Sequence, residues 1–320
     1  MLEPVRPIGL GDIEAARARI APTVLRTPLV KLEVGGGGVD IYLKLENLQP
    51  TNAYKIRGAA NAVAALSDDE RARGVWTISA GNAGQGVAYA ARAFGIPCSI
   101  VTIETAPQTK LERMRGLGAT IVPVSYEVAW QAAETHAYEG MHGTFIHPFD
   151  NHDFIAGHAT MGLEIVEDLP AVQTVIAAIG GGGLITGVAS AMKALRPDVR
   201  VIGAEPETAS PYAYSLEQGG PRRFPDWQAS FVDGAGGKSV TDRMWERMRP
   251  LVDASIVVTL DETRQAMRLI AEKARAVAEG AGALALAAAL TGKTGEGPIV
   301  CIVSGGNIDL EKFCELISGR

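Results

Sequence analysis

From Val75 onward the sequence alternates between short β-branched runs and alanine-rich stretches with helical spacing. Val75 to Ser79, Ser99 to Ile103, Thr120 to Val124, Thr174 to Ile179, Val199 to Ala204 and Ile299 to Val303 read as strands. Between most of them Gly86 to Phe94, Lys110 to Gly116, Leu184 to Leu195 and Thr263 to Ala278 read as helices. Strand, helix, strand in this rhythm predicts an α/β fold, a parallel sheet covered by helices. The strands are apolar throughout, as expected when both sheet faces are buried. Pro107 near the start of one helix and Gly118 after its end fit normal capping.

The chain has 320 residues, enough for two domains sharing an interface. The segment Phe145 to Asp153 is the best candidate for a crossing between them, and Glu217 to Gln228 reads as a surface loop. The net charge is −6 and lysine and arginine are scattered, so no basic face is offered to a nucleic acid. Cys98, Cys301 and Cys314 match neither a disulfide framework nor metal-ligand spacing, and read as thiols of a reducing compartment. Met1 to Leu10 lacks a signal peptide's apolar core. Ala281 to Leu290 reads as a buried helix, and no apolar run approaches the ~18 residues a membrane span needs. A soluble, cytoplasmic protein is expected.

Ligands of open α/β sheets bind outside the carboxyl ends of the strands. The sequence Ile179-Gly180-Gly181-Gly182-Gly183-Leu184 follows a strand and opens a helix. Residues without side chains let backbone N–H groups approach an anion, and the helix N-terminus adds its positive end. That context reads as a phosphate cradle. Gly35 to Gly38 serves as a control, since a strand-like run from Val39 to Lys44 follows it; it reads as a hairpin loop. A phosphate loop alone leaves a nicotinamide dehydrogenase open. Thr186 interrupts the dinucleotide glycine pattern, but Glu205 stands at a suitable distance for a ribose.

Another segment carries more. Leu43 to Ala59, with Asn52-Ala53-Tyr54-Lys55-Ile56-Arg57-Gly58 at its centre, resembles the cofactor-lysine segment of fold type II pyridoxal-phosphate enzymes. Among these it is most similar to the serine/threonine dehydratases. Ser79-Ala80-Gly81-Asn82-Ala83-Gly84-Gln85-Gly86, the glycine loop, and Ser304-Gly305-Gly306-Asn307 match in the same order. Weaker matches are Gly203 to Pro206, Val232 to Gly234 and Glu279 to Ala283. The resemblance spans nearly the whole chain.

It implies a tryptophan-synthase-β-like fold. A large cofactor domain of residues 1–47 plus 154–320 would carry an inserted smaller one, 48–153, with pyridoxal 5′-phosphate between them. Lys55 would be the Schiff-base lysine and the base at the substrate's α-carbon. Tyr54 would lie against the cofactor ring, Asn82 would bond its O3′, and Gly180, Gly181, Gly182, Gly183 and Leu184 would hold its phosphate. Gly234 would complete the site, and Ser304 would face the pyridine nitrogen. Ser79, Ala80, Gly81, Asn82 and Ala83 would bind the substrate carboxylate. A serine at the nitrogen leaves the ring a weaker electron sink, which suits β-elimination better than transamination. The implied reaction converts a β-hydroxy-α-amino acid to a 2-keto acid and ammonia, in a homodimer without feedback control.

Several positions depart from the family. Ala53-Tyr54 replaces the usual Ser-Phe before the lysine, and Ala83 stands where histidine is common. Ala80 falls where serine racemases carry the second acid–base serine, so racemisation is disfavoured. Glu205 and Ala209 match the first two ligand positions of the divalent cation some relatives bind, but Pro211 stands at the third. β-Replacement and threonine synthesis are the alternatives on the same cofactor. A non-catalytic amino-acid-binding protein is the alternative of another class. His142, His147, His152 and His158 read as domain-junction residues, with His158 a candidate for the substrate entrance.

Overall fold

Two sheets organise the computed structural model, which describes residues 4–34, 39–106 and 108–318. The strands are β1 (Leu29–Leu32), β2 (Ile41–Lys44), β3 (Val75–Ile78), β4 (Cys98–Ile103), β5 (Thr120–Val124), β6 (Thr144–Phe145), β7 (Thr174–Ala178), β8 (Arg200–Pro206), β9 (Ala254–Val258) and β10 (Ile299–Ile302). One sheet has the order β1-β2-β10-β7-β8-β9 and the other β5-β4-β3-β6. Every strand pair is parallel except β1 with β2. The chain is therefore α/β, with helices against parallel sheets, as the alternation predicts. The Gly35–Gly38 loop and Pro107 lie outside the described residues.

Burial on both faces accounts for the apolar strands. On β7, Ile176 and Ala178 belong to one core cluster, while Val175, Ala177 and the following Ile179 belong to the other. The helix Gly280–Leu290 fills the first cluster and Gly183–Leu195 the second. A helix buried on every side has no polar face to show. That is why the alanine-rich 281–290 run carries no amphipathic period.

Some elements differ from the sequence expectation. The helix expected from Gly86 begins at Asn82, because Gly84 and Gly86 are packing glycines, not turn glycines. A Cβ at Gly86 would stand 3.2 Å from the Lys55 backbone, so this helix and the one opened by Lys55 need a bare surface to approach. The helix expected over Thr263–Ala278 runs Leu260–Leu269, widens into a π turn at Ile270–Ala274 and stops at Arg275, which has φ 54. The chain then leaves to pair with the loop after β10, where Glu279 N–H donates to Gly305 O at 3.0 Å. Glu217 and Gln218 end a helix, Pro211–Gln218, and the loop begins only at Gly219.

Candidate active site

β10 points its carboxyl end at a cleft, and the chain then turns through Ser304–Gly306. Tyr54 N–H donates to Ser304 O at 3.0 Å and Gly306 N–H to Asn52 O at 2.9 Å. Asn52 takes φ 54, a left-handed conformation that asparagine tolerates. This stitching fixes Tyr54 and starts the helix Lys55–Ala64 at the lysine, with Ser304 beside it on the cleft wall.

Lys55 projects into a cavity of about 450 Å³. Its Nζ donates to the Pro148 carbonyl at 2.7 Å and lies 5.2 Å from the Tyr54 ring centroid. Among the described residues no carboxylate pairs with it. Burial alone therefore pushes its pKa down to about 7. Glu46 is occupied elsewhere: buried Arg57 bonds it at 2.8 Å and reaches Glu164 at 2.7 Å. Lys44 Nζ also meets Glu164, at 2.6 Å. This ion network forms the base under the lysine helix.

Gly180, Gly181 and Leu184 line the cavity, while Gly182 and Gly183 turn behind it into the helix Gly183–Leu195. No side chain fits in this turn. A Cβ at Gly180 would stand 2.8 Å from Gly234 O, one at Gly181 would run into the Phe149 ring, and Gly182 has φ +88. First-turn N–H groups of a helix lack intrahelical acceptors, so the turn offers donors to an anion.

Across the cavity, Ser79, Ala80, Gly81, Asn82 and Ala83 form the turn into the helix Asn82–Phe94. Ser79 Oγ accepts from Gly81 N–H at 3.0 Å. Asn82 donates to Glu279 Oε1 at 2.7 Å, and its Oδ1 accepts from Asn307 at 2.8 Å. Glu279 is a site residue that the sequence flagged only through its weak motif. Burial, with Asp233 adding, pushes its carboxyl up to about 7. At the mouth Lys110 pairs with Asp233 at 2.5 Å. Tyr54 lines the cavity with its ring edge-on to His158, centroids 4.6 Å apart, and burial raises its phenol pKa.

A buried lysine that no carboxylate pairs among the described residues, facing a glycine cradle and a second helix N-terminus, is the arrangement of a cofactor site. The family model described as "Pyridoxal-phosphate dependent enzyme" matches residues 20–305. The chain belongs to that family. It is 42% identical over 318 residues to an L-threonine ammonia-lyase of Thermotoga maritima, covering 97% of this chain and 78% of the relative. It is 37% identical to a catabolic L-threonine dehydratase of Staphylococcus aureus, covering 99% and 94%. The structure of maize serine racemase superposes with a TM-score of 0.86 at 35% identity, covering 98% of each chain.

Pyridoxal phosphate fits the residues present. The cradle that any Cβ would fill, Lys55, and the Ser304 hydroxyl, whose only described bond is a long 3.4 Å contact to Ala281 O, all face one cavity.

A divalent cation does not fit at Glu205. Its two carboxylate oxygens already accept from Tyr212 N–H and Ala213 N–H at 2.8 Å and from the Ser255 hydroxyl at 2.6 Å. Pro211 opens the helix whose amides take the carboxylate, and Ala209 supplies a buried turn before it. Among the described residues no three His, Cys, Asp or Glu side chains gather as a metal site. Chelators are expected to leave turnover essentially unchanged. Ser255→Ala should cost about 1–3 kcal/mol in chemical denaturation, because it strips a donor from a buried carboxyl.

His158 is not at the entrance. It is fully buried behind Tyr54 and Phe154, and burial drives its pKa far down, so the ring stays neutral. His147 is likewise buried; its Nδ1 accepts from Asp150 N–H at 2.9 Å, and its pKa is pushed down to about 3.

Proposed function

We propose that the enzyme dehydrates and deaminates a β-hydroxy-α-amino acid, releasing a 2-keto acid and ammonia. The observation that carries this reading is Lys55, buried in the cleft with no carboxylate partner among the described residues and poised near neutrality. When bound, pyridoxal phosphate supplies the electron sink for charge developing at the substrate's α-carbon. The protein supplies the rest. Gly180–Leu184 would hold the phosphate, Asn82 the O3′, Gly234 the neighbouring wall and Ser304 the ring nitrogen through a neutral hydroxyl. The Ser79–Ala83 turn would bind the substrate carboxylate and fix the α-proton toward Lys55. As a neutral amine, Lys55 takes that proton. The β-hydroxyl leaves with a proton as water, and the enamine so released is hydrolysed by a second water to the keto acid and ammonia.

Threonine ammonia-lyase and threonine dehydratase relatives support elimination. Ala80 supports it over racemisation, since a methyl group has no proton to deliver from the far face. The division into 48–153 and the remainder is supported by β3 to β6, which all fall inside that range. The reading extends to a cytoplasmic homodimer, supported by the unbridged cysteines Cys98 and Cys301 and by the dehydratase resemblance. No helix of the described residues is long and apolar enough to cross a membrane.

The test is keto-acid release by the holoenzyme from serine, threonine, hydroxyaspartate and phenylserine. Release from at least one supports the reading, and release from none overturns it. A second measurement addresses Lys55 directly. A lysine with a depressed pKa gains its neutral form as pH rises through about 7, not near 10.4 as for a free side chain. Uptake of pyridoxal phosphate by the apoenzyme should therefore climb through neutral pH and then level off. A rate still climbing at pH 10 would show an ordinary lysine.

A further inference from the structure

A line of hydrogen-bonded side chains runs from the surface into the cofactor cleft. Arg113, exposed on the helix Gln108–Gly116, donates to Asn307 Oδ1 at 2.8 Å. Asn307 is buried beyond β10, and its Nδ2 donates to the Thr51 carbonyl and to Asn82 Oδ1, each at 2.8 Å. Asn82 donates in turn to Glu279 Oε1 at 2.7 Å, and it lines the same cavity as Lys55.

This line has a direction, and its fixed partners enforce it. A side-chain amide can turn over with almost no change of shape, exchanging its acceptor for its donors. Asn307 cannot. A guanidinium only donates and a peptide carbonyl only accepts, so Arg113 must meet the amide oxygen and Thr51 the amide nitrogen. Thr51 takes one Asn307 hydrogen, and the other goes to Asn82, which must answer with its oxygen. The Asn82 nitrogen is thereby left to the cleft side. Glu279 takes one of its hydrogens, and the other has no partner among the described residues. Turned over, Asn82 would oppose its nitrogen to that of Asn307 and its oxygen to the Glu279 carboxyl. Buried groups mismatched in this way lose their hydrogen bonds and keep the cost of desolvation.

We propose that Asn307 is a positioning residue for the cofactor: anchored by Arg113 and the Thr51 carbonyl, it fixes the Asn82 amide so that an N–H, not the oxygen, meets O3′ of pyridoxal phosphate. The proposal rests on the reading that places Asn82 at O3′ and adds what orients it. Arg113 then acts on the cleft from the surface, through two amides and without touching the cofactor.

The test is a binding measurement, independent of turnover. Equilibrium dialysis gives the dissociation constants of the full-length apoenzyme for pyridoxal 5′-phosphate and for its 3-deoxy analogue. The parent is compared with Asn82→Ala, Asn307→Asp and Arg113→Met. The ratio of the two constants isolates the contact at O3′, because damage to packing weakens both cofactors alike. Losing a hydrogen bond to an oxygen that carries charge predicts that the preference for the 3-hydroxyl falls roughly 10- to 100-fold in Asn82→Ala. Asn307→Asp keeps the shape but has no hydrogen to give Asn82, and should lower the preference comparably. Arg113→Met should lower it less, since the Thr51 carbonyl still holds one end of Asn307. A preference that falls in Asn82→Ala but keeps its parental value in the other two variants overturns the proposal and leaves Asn82 at O3′. A preference that Asn82→Ala does not move overturns both. Should Asn307→Asp fail to fold, Arg113→Met decides alone, because an exposed side chain can be replaced without unfolding the protein.

Discussion

Lys55→Ala is expected to abolish the reducible bond between cofactor and protein and to lower turnover by several orders of magnitude. Positioned proton transfer alone typically contributes about 10²- to 10⁴-fold, and the variant loses the nucleophile as well. The fold should survive. Among the described residues the ammonium bonds the Pro148 carbonyl and forms no ion pair, so removing it strands no opposite charge there. Borohydride reduction of the holoenzyme followed by peptide mapping locates the bond in the parent. Lys110 also lines the cavity and is the natural competitor. If the variant still carries reduced cofactor on Lys110 or any other lysine, the assignment of Lys55 is wrong.

The strands and the glycine turn were legible because their physics is local. Burial on both faces of β7 demands an unbroken apolar run, and a strand-to-helix turn that admits no Cβ demands glycine. Contacts between distant segments were not legible. Asn82 and Glu279 are hydrogen-bonded across the cleft, yet they stand at the starts of two helices far apart in the chain. What delivers Glu279 is the π turn at Ile270–Ala274 and the escape of the chain from a helix whose period appeared to continue. β9 escaped notice because an edge strand with a mixed burial pattern lacks the apolar signature of the central ones. Glu205 illustrates the reverse. An acid at a strand end suggests a ligand, but only the structure shows that Tyr212 and Ala213 amides have taken both its oxygens.

Arg57→Met should be the most destabilising single change, at about 3–5 kcal/mol, the usual cost of stranding one partner of a buried ion pair. Arg57 is fully buried and bonds Glu46 and Glu164, while Lys44 also meets Glu164. Without the guanidinium, Lys44 alone faces two buried carboxylates. Burial by itself would raise the Glu46 carboxyl, and the Arg57 charge is what holds it below the usual carboxylate range. In the parent, that depression stabilises the fold above the unfolded carboxyl pKa, and the contribution fades as pH falls through the folded value. In the variant the sign reverses. Glu46 would prefer its proton, so the folded state loses stability as pH rises above the unfolded pKa. The gap between parent and variant in urea unfolding should therefore be wider at pH 8 than at pH 5. Arg57→Met with Glu46→Gln restores charge balance and should recover part of the loss. A double variant no more stable than the single one, with a gap indifferent to pH, would mean that Arg57 supports the lysine helix by packing and not by charge.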